Sequence, residues 1–217
     1  MQHLWLEINL GKENLYIAAC YIPHKESNYY NKFGLQHDDP FPYLCRDILV
    51  FERLGKLLIV ENFNATVGKI KNMEISRKNI LDPCLLHDSK DCMVMNYGII
   101  LIHMLDCTNL IVLNGRSVFP WTNVLTCLPS SSGGRVVDYV FMKACDVPMV
   151  TAFKISPLSP NSDHKPLHSH TLSTNVKEER RYIIRPCYKK VMIYAKEVEK
   201  HLSILFLDND VKEIGNI

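Results

Sequence analysis

Leu57-Leu58-Ile59-Val60-Glu61-Asn62-Phe63-Asn64-Ala65 opens on four consecutive apolar residues and closes on a polar turn. An apolar run this short, entered from Gly55, reads as a buried strand rather than a helix. The sequence on either side fits a sheet around it. Immediately upstream, over residues 43–54, Leu44, Ile48, Phe51 and Leu54 recur at steps of three and four, which predicts an amphipathic helix stopped by Gly55. Further upstream, Leu4-Trp5-Leu6-Glu7-Ile8 and Leu15-Tyr16-Ile17-Ala18-Ala19-Cys20-Tyr21 flank the polar Gly11 to Asn14, the pattern of a hairpin. Pro23 ends its second strand, and the polar stretch from Lys25 to Asp39, followed by Pro40 and Pro42, reads as a loop. Downstream, Lys69 to Asp91 is polar and irregular, Tyr97 to Cys107 is a mostly apolar helical run, and Ile111-Val112-Leu113 is another short buried strand. Strand candidates follow at Val124 to Cys127, Val136 to Met142, Val147 to Ile155 and Leu167 to Leu172, separated by Ser, Gly and Pro clusters. Strands with intervening helices predict a layered α/β protein.

The 217 residues are 47% hydrophobic and 22% charged, enough for one sizeable core. A net charge of +2 and a pI of about 8.1 give the whole chain little pull toward nucleic acid, so any phosphate binding rests on local clusters. The eight cysteines are spread evenly, with no C-x-x-C pair and no histidine at zinc-finger spacing, and read as reduced thiols. No apolar run reaches the ~18 residues of a membrane span and no secretory leader follows Met1, so the expected location is intracellular, nuclear or cytoplasmic, with no membrane partner. Past Ser173 the composition turns to Lys177-Glu178-Glu179-Arg180-Arg181. A helix from about Tyr188 puts Val191, Tyr194, Ala195, Val198, Leu202 and Leu205 on one face. The expected organisation is a domain over 1–173 and a linker with an accessory helix over 174–217.

Four stretches, in order, carry a resemblance. They are Ala19-Cys20-Tyr21-Ile22-Pro23; Leu57 through Ala65; Asn96-Tyr97-Gly98 with Leu110-Ile111-Val112-Leu113-Asn114-Gly115-Arg116; and Gly134-Arg135-Val136-Val137-Asp138-Tyr139-Val140 with Ser162-Asp163-His164-Lys165-Pro166. Together they resemble the endonuclease/exonuclease/phosphatase superfamily, in the type found in non-LTR retrotransposons, over roughly Trp5 to Leu172. The resemblance implies a DNase I-like fold, two β-sheets in a sandwich with flanking helices, and Mg²⁺-dependent cleavage of DNA. Phosphodiester hydrolysis needs an activated water, stabilised charge on phosphorus and help for the leaving oxygen, which is why such sites collect Asp, Glu, Asn and His. By resemblance, Asp163 helps bind the metal, His164 contacts the scissile phosphate and Asp138 orients the imidazole. Tyr21 supports the phosphate, Asn64 donates its amide to a non-bridging oxygen, and Thr126 lies where the family keeps a threonine near the substrate.

Two departures accompany the match. The family has Asp before Phe-Asn-Ala, where it handles a proton, and here that catalytic position is Asn62. Glu61 adjoins it, but successive strand residues point to opposite faces, so Glu61 is not expected to replace the lost acid. The family also carries a metal-binding Glu on strands upstream of the Tyr-x-Pro strand, and the sequence is read as lacking those N-terminal strands. Activity is therefore expected to be weak or lost. The alternative is a non-catalytic remnant that binds nucleic acid or protein, with Arg135, His164, Lys165 and the basic tail meeting phosphates without cutting.

Overall fold

A turn at Gly11, with φ of 93°, joins β1 (Gln2–Asn9) to β2 (Asn14–Tyr21), and the two pair antiparallel from Gln2 opposite Tyr21 to Asn9 opposite Asn14. The expected hairpin is present. The computed structural model describes residues 2–24, 26–28, 30, 41–69, 87–129, 133–171 and 180–183. The accessory helix read from Tyr188 lies outside these residues, as does the side chain of Glu61. The decisive apolar run becomes β3 (Gly55–Asn62), which lies parallel to β2, with Tyr21 opposite Asn62. A parallel neighbour demands a crossover. It contains helix α1 (Phe41–Phe51), whose Phe41, Leu44, Ile48 and Phe51 are buried.

On the other side of β3 runs β5 (Asp138–Lys143), antiparallel, and beyond it the edge strand β4 (Leu110–Val112), which follows helix α2 (Asn96–Thr108). At the far edge, β8 (Arg180–Ile183) pairs antiparallel with β1, giving the order β4-β5-β3-β2-β1-β8. The chain is thus mixed α/β. Its second sheet is the antiparallel pair β6 (Val150–Ile155) and β7 (Leu167–Thr171).

Period-two alternation divides the large sheet into two faces. Trp5, Tyr16, Ala18, Cys20, Leu57, Ile59, Leu110, Val112, Tyr139 and Phe141 pack with α1 and α2 in one core. Leu15, Leu58, Ile111, Val140 and Met142 turn the other way and pack with Val150 and Phe153 of β6. Helices therefore cover one face and the small sheet the other, a layered arrangement that agrees with the expected fold class.

Three local expectations are corrected. Val124 to Cys127 is not a strand: Cys127 makes only isolated bridges, to Arg135 and to His164, and the N–H groups of Thr126 and Cys127 both go to the Arg135 carbonyl. β5 begins at Asp138 rather than Val136, because the N–H of Val136 is taken by the Asp91 carboxylate and those of Val137 and Asp138 by the Thr126 hydroxyl. Residues 144–149 form a 3₁₀ turn containing Pro148, which has no N–H to give a ladder, so β6 starts only at Val150. The charged run assigned to a linker also supplies β8. Its four residues pair with Trp5 to Ile8 and cover part of the β1 edge.

Asn114-Gly115-Arg116 has a structural explanation. The Asn114 amide takes the place of a strand neighbour, its Nδ2 donating to the Asp138 carbonyl at 3.0 Å and its Oδ1 accepting from the Val140 N–H at 3.0 Å. Gly115 has φ of +68°, and a Cβ there would sit 1.9 Å from the Asp88 carbonyl, so no other residue fits. Arg116 is buried, donating from Nε to the Val112 carbonyl.

Candidate active site

Register brings the candidate residues together. Asn62, the last residue of β3, stands opposite Tyr21 at the end of β2 and opposite Asp138 at the start of β5. Paired residues on neighbouring strands share a face, and counting by twos from Val60 and Val140 puts all three on the side that carries β6 and β7. Tyr21, Asn62 and Asn64 are partly exposed, whereas Asp138 is buried.

The turn after β3 is closed by its own side chains. Asn62 Oδ1 accepts the Asn64 N–H at 2.7 Å, an Asx turn, and Asn64 adopts φ of 45°, a left-handed conformation that asparagine tolerates. Asn64 Nδ2 donates to the Ile22 carbonyl at 2.7 Å, which ties the turn to the Tyr-x-Pro strand. An amide carries two N–H donors, and among the described residues only one of Asn64's is taken.

Asp138 and His164 make a side-chain ion pair at the site. His164 Nδ1 lies 3.0 and 2.9 Å from the two Asp138 oxygens. Asp138 is held from behind through its backbone, by Asn114 at its carbonyl and by the Thr126 hydroxyl at its N–H, 3.1 Å away. The His164 turn is fixed too. Its N–H donates to Ser162 Oγ at 3.1 Å, the Leu128 N–H to the Asp163 carbonyl at 2.7 Å, and the Lys165 N–H to the Thr126 carbonyl at 2.8 Å. With Nδ1 facing Asp138, Nε2 is the ring nitrogen available to a ligand.

Thr126, expected to meet substrate, is fully buried, and its hydroxyl accepts the N–H groups of Val137 and Asp138. It stands at the backbone entry to β5. Asp163 is exposed beside His164, consistent with access to a ligand. Three contributors went unread in the sequence. Asn114 and Asp91 act on the backbone of β5 and its approach, and Asp91 sits in a polar stretch with nothing to mark it as buried. Cys127 shares a cluster with Asp163 and His164, one ligand atom from each lying within 4.8 Å of the others. Burial, then the nearby Asp163 and Asp138 carboxylates, push the Cys127 thiol up to about 11, so the thiol is protonated at neutral pH.

The hydrogen bond to Asp138 raises the His164 pKa above its ordinary value, against the opposing effect of partial burial. The folded pKa exceeds the unfolded one, so the stabilisation is fully present below the unfolded value of about 6.5 and is lost as pH rises through the folded value. Asp138→Asn is expected to move the His164 titration downward in an NMR pH series. A midpoint unchanged by that substitution would remove Asp138 as the cause.

No family model matches the sequence, and no curated protein does. Solved structures do. The endonuclease domain of TRAS1, a telomere-specific non-LTR retrotransposon, is 15% identical, covering 74% of this chain and 57% of its own, with a TM-score of 0.46. The 3'-5' exonuclease NExo from Neisseria meningitidis is 16% identical over 72% of this chain and 61% of its own, with a TM-score of 0.46. The AP endonuclease LMAP from Leishmania major is 11% identical over 80% and 51%, with a TM-score of 0.48. All three are nucleases. The chain spans between half and about three fifths of the length of these structures. Among the described residues, no helix is long and apolar enough to cross a membrane.

Proposed function

We propose that the chain carries a nuclease-like phosphate site of the non-LTR retrotransposon endonuclease type, one that still engages DNA phosphate but cuts weakly or not at all. The observation that carries this reading is the contact of His164 Nδ1 with both Asp138 oxygens, beside the Asn62–Asn64 turn. Asp138 orients the ring and favours its charged form, which directs a cation and an N–H donor at Nε2 toward a phosphate. The second Asn64 amide N–H and the Tyr21 hydroxyl are the accompanying donors. What is lost is the proton-handling carboxylate at position 62. Asn62 stands where the resemblance calls for Asp, and an amide neither takes nor gives a proton; such a loss commonly costs roughly 10² to 10⁴ in rate.

The metal expected by resemblance is Mg²⁺, which demands a near-octahedral set of oxygens. Among the described residues, the cluster at His164 offers a thiol, an imidazole and the Asp163 carboxylate. Asp138 is engaged by His164 and Asn62 Oδ1 by the Asn64 N–H. This donor set does not fit Mg²⁺, and no step is assigned to that ion.

The test is a gel-shift and nicking experiment on supercoiled plasmid, with Mg²⁺ and with EDTA. The wild-type chain is expected to shift DNA at low salt with little or no nicking, and His164→Ala is expected to weaken the shift severalfold. Rapid nicking that survives His164→Ala, or an absence of any DNA binding at low salt, would overturn the reading.

A further inference from the structure

We infer that Cys127, Asp163 and His164 form a binding site for a borderline-soft divalent cation of the zinc type, with Asp138 as the outer partner of the imidazole. The site is argued from geometry and donor chemistry and needs no assumption about phosphate.

The three ligand atoms come from two segments, and one from each residue lies within 4.8 Å of the other two. Around tetrahedral zinc, with bonds of roughly 2.0 to 2.3 Å, ligand atoms stand about 3.3 to 3.8 Å apart. Closing that gap takes side-chain rotation of about an ångström, and the exposed Asp163 has that freedom. The backbone is already in place. Cys127 bridges His164 directly, the Leu128 N–H donates to the Asp163 carbonyl at 2.7 Å, and the Lys165 N–H donates to the Thr126 carbonyl at 2.8 Å. These bonds flank both ligand-bearing segments, so little backbone ordering remains when the cation binds.

The imidazole is prepared in the same way. A ligating histidine characteristically gives its other ring N–H to a carboxylate, which fixes the tautomer and raises the basicity of the ligating nitrogen. His164 Nδ1, 2.9 Å from Asp138 Oδ2, makes that contact; Nε2 becomes a ligand by giving up the proton it would otherwise offer a phosphate, so cation and phosphate compete for it. Sulfur, nitrogen and one carboxylate oxygen select zinc-like ions over Mg²⁺ and Ca²⁺. With three protein ligands the fourth position stays open, the pattern of a catalytic rather than a structural zinc site. Binding converts the Cys127 thiol to a thiolate and releases its proton to solvent, so affinity rises with pH.

Cobalt(II) added to the full chain reports this directly, because a thiolate ligand gives a near-ultraviolet sulfur-to-cobalt charge-transfer band that zinc abolishes by competition. The band is expected in the wild type, and it should be absent in Cys127→Ala. It should persist when the exposed thiols Cys92, Cys107 and Cys145 are changed together to Ser. Asp163→Asn alters an exposed residue and spares the fold, and it is expected to lower zinc affinity at least about tenfold; Asp138→Asn should lower it by roughly 10 to 100-fold. An undiminished band in Cys127→Ala, or displacement of cobalt by Mg²⁺ at comparable concentration, overturns the site. A chain that binds cobalt through Cys127 yet fails to bind DNA upholds this site and sinks the phosphate reading. DNA binding without a cobalt band does the reverse.

Discussion

Asn62→Asp is expected to raise plasmid nicking roughly 100-fold or more, the lower end of what a positioned acid or base supplies. Asn62 ends β3 opposite Asp138, and its Oδ1 accepts the Asn64 N–H at 2.7 Å. Aspartate has the same shape, so one carboxylate oxygen can keep that bond and hold the turn. The second oxygen then replaces the amide nitrogen and turns a donor into a group that can take a proton. Among the described residues no hydrogen bond holds the Asn62 amide nitrogen, so the exchange breaks no existing contact. A new carboxylate near His164 should also push the imidazole pKa further up, which the NMR titration reads without any reference to cleavage. Nicking assays on the single variant and on the Asn62→Asp, His164→Ala double variant decide the matter. The double variant is expected at background. If Asn62→Asp folds, binds DNA as the wild type does and still does not nick faster, Asn62 is not the limiting loss.

The parts of this molecule that could be read from sequence are those set by local chemistry. The Leu57 to Val60 run, the hairpin around Gly11 and the three-four spacing of Leu44, Ile48 and Phe51 each reflect one element burying one face, and each formed. Asp138 and His164 were legible as a pair only through the resemblance, since 26 residues separate them and no spacing rule joins them. What stayed hidden depends on loops meeting across the fold. The resemblance put Thr126 near the substrate, in a stretch read as a strand. Its hydroxyl instead serves two N–H groups at the entry to β5, a role that depends on where residues 124–128 cross. Cys127 was one of eight evenly spread thiols and became notable only when the bridge to His164 placed it beside Asp163. The strand β8, Arg180–Ile183, begins inside the charged Lys177 to Arg181 run, and four residues are too few for an apolar alternation to mark an edge strand.

The helix-covered face carries the largest expected loss of stability, at Trp5. Its side chain is wholly buried, stacked on Phe51 of α1 with ring centroids 4.2 Å apart and meeting His3 edge-on at 6.5 Å. The cross-strand partner is Ala18, small enough to leave room for an indole between β1, β2 and the helix. Trp5→Ala leaves a cavity where β1 packs on α1, and is expected to cost about 3 to 5 kcal/mol, a large share of the ~5 to 15 kcal/mol that holds a typical domain together. Trp5→Phe should behave differently. The indole Nε1 is buried with no hydrogen-bond partner among the described residues, so phenylalanine removes volume but also removes a donor left unsatisfied. The two effects oppose each other, and the net cost is expected to stay under about 2 kcal/mol. Urea unfolding of the three proteins, with an unchanged slope as the check that only stability has moved, measures both. Equal losses for Ala and Phe would show that the indole nitrogen is satisfied after all; a loss below about 1 kcal/mol for Ala would mean that the contact between β1 and α1 does not hold the sheet to its helix.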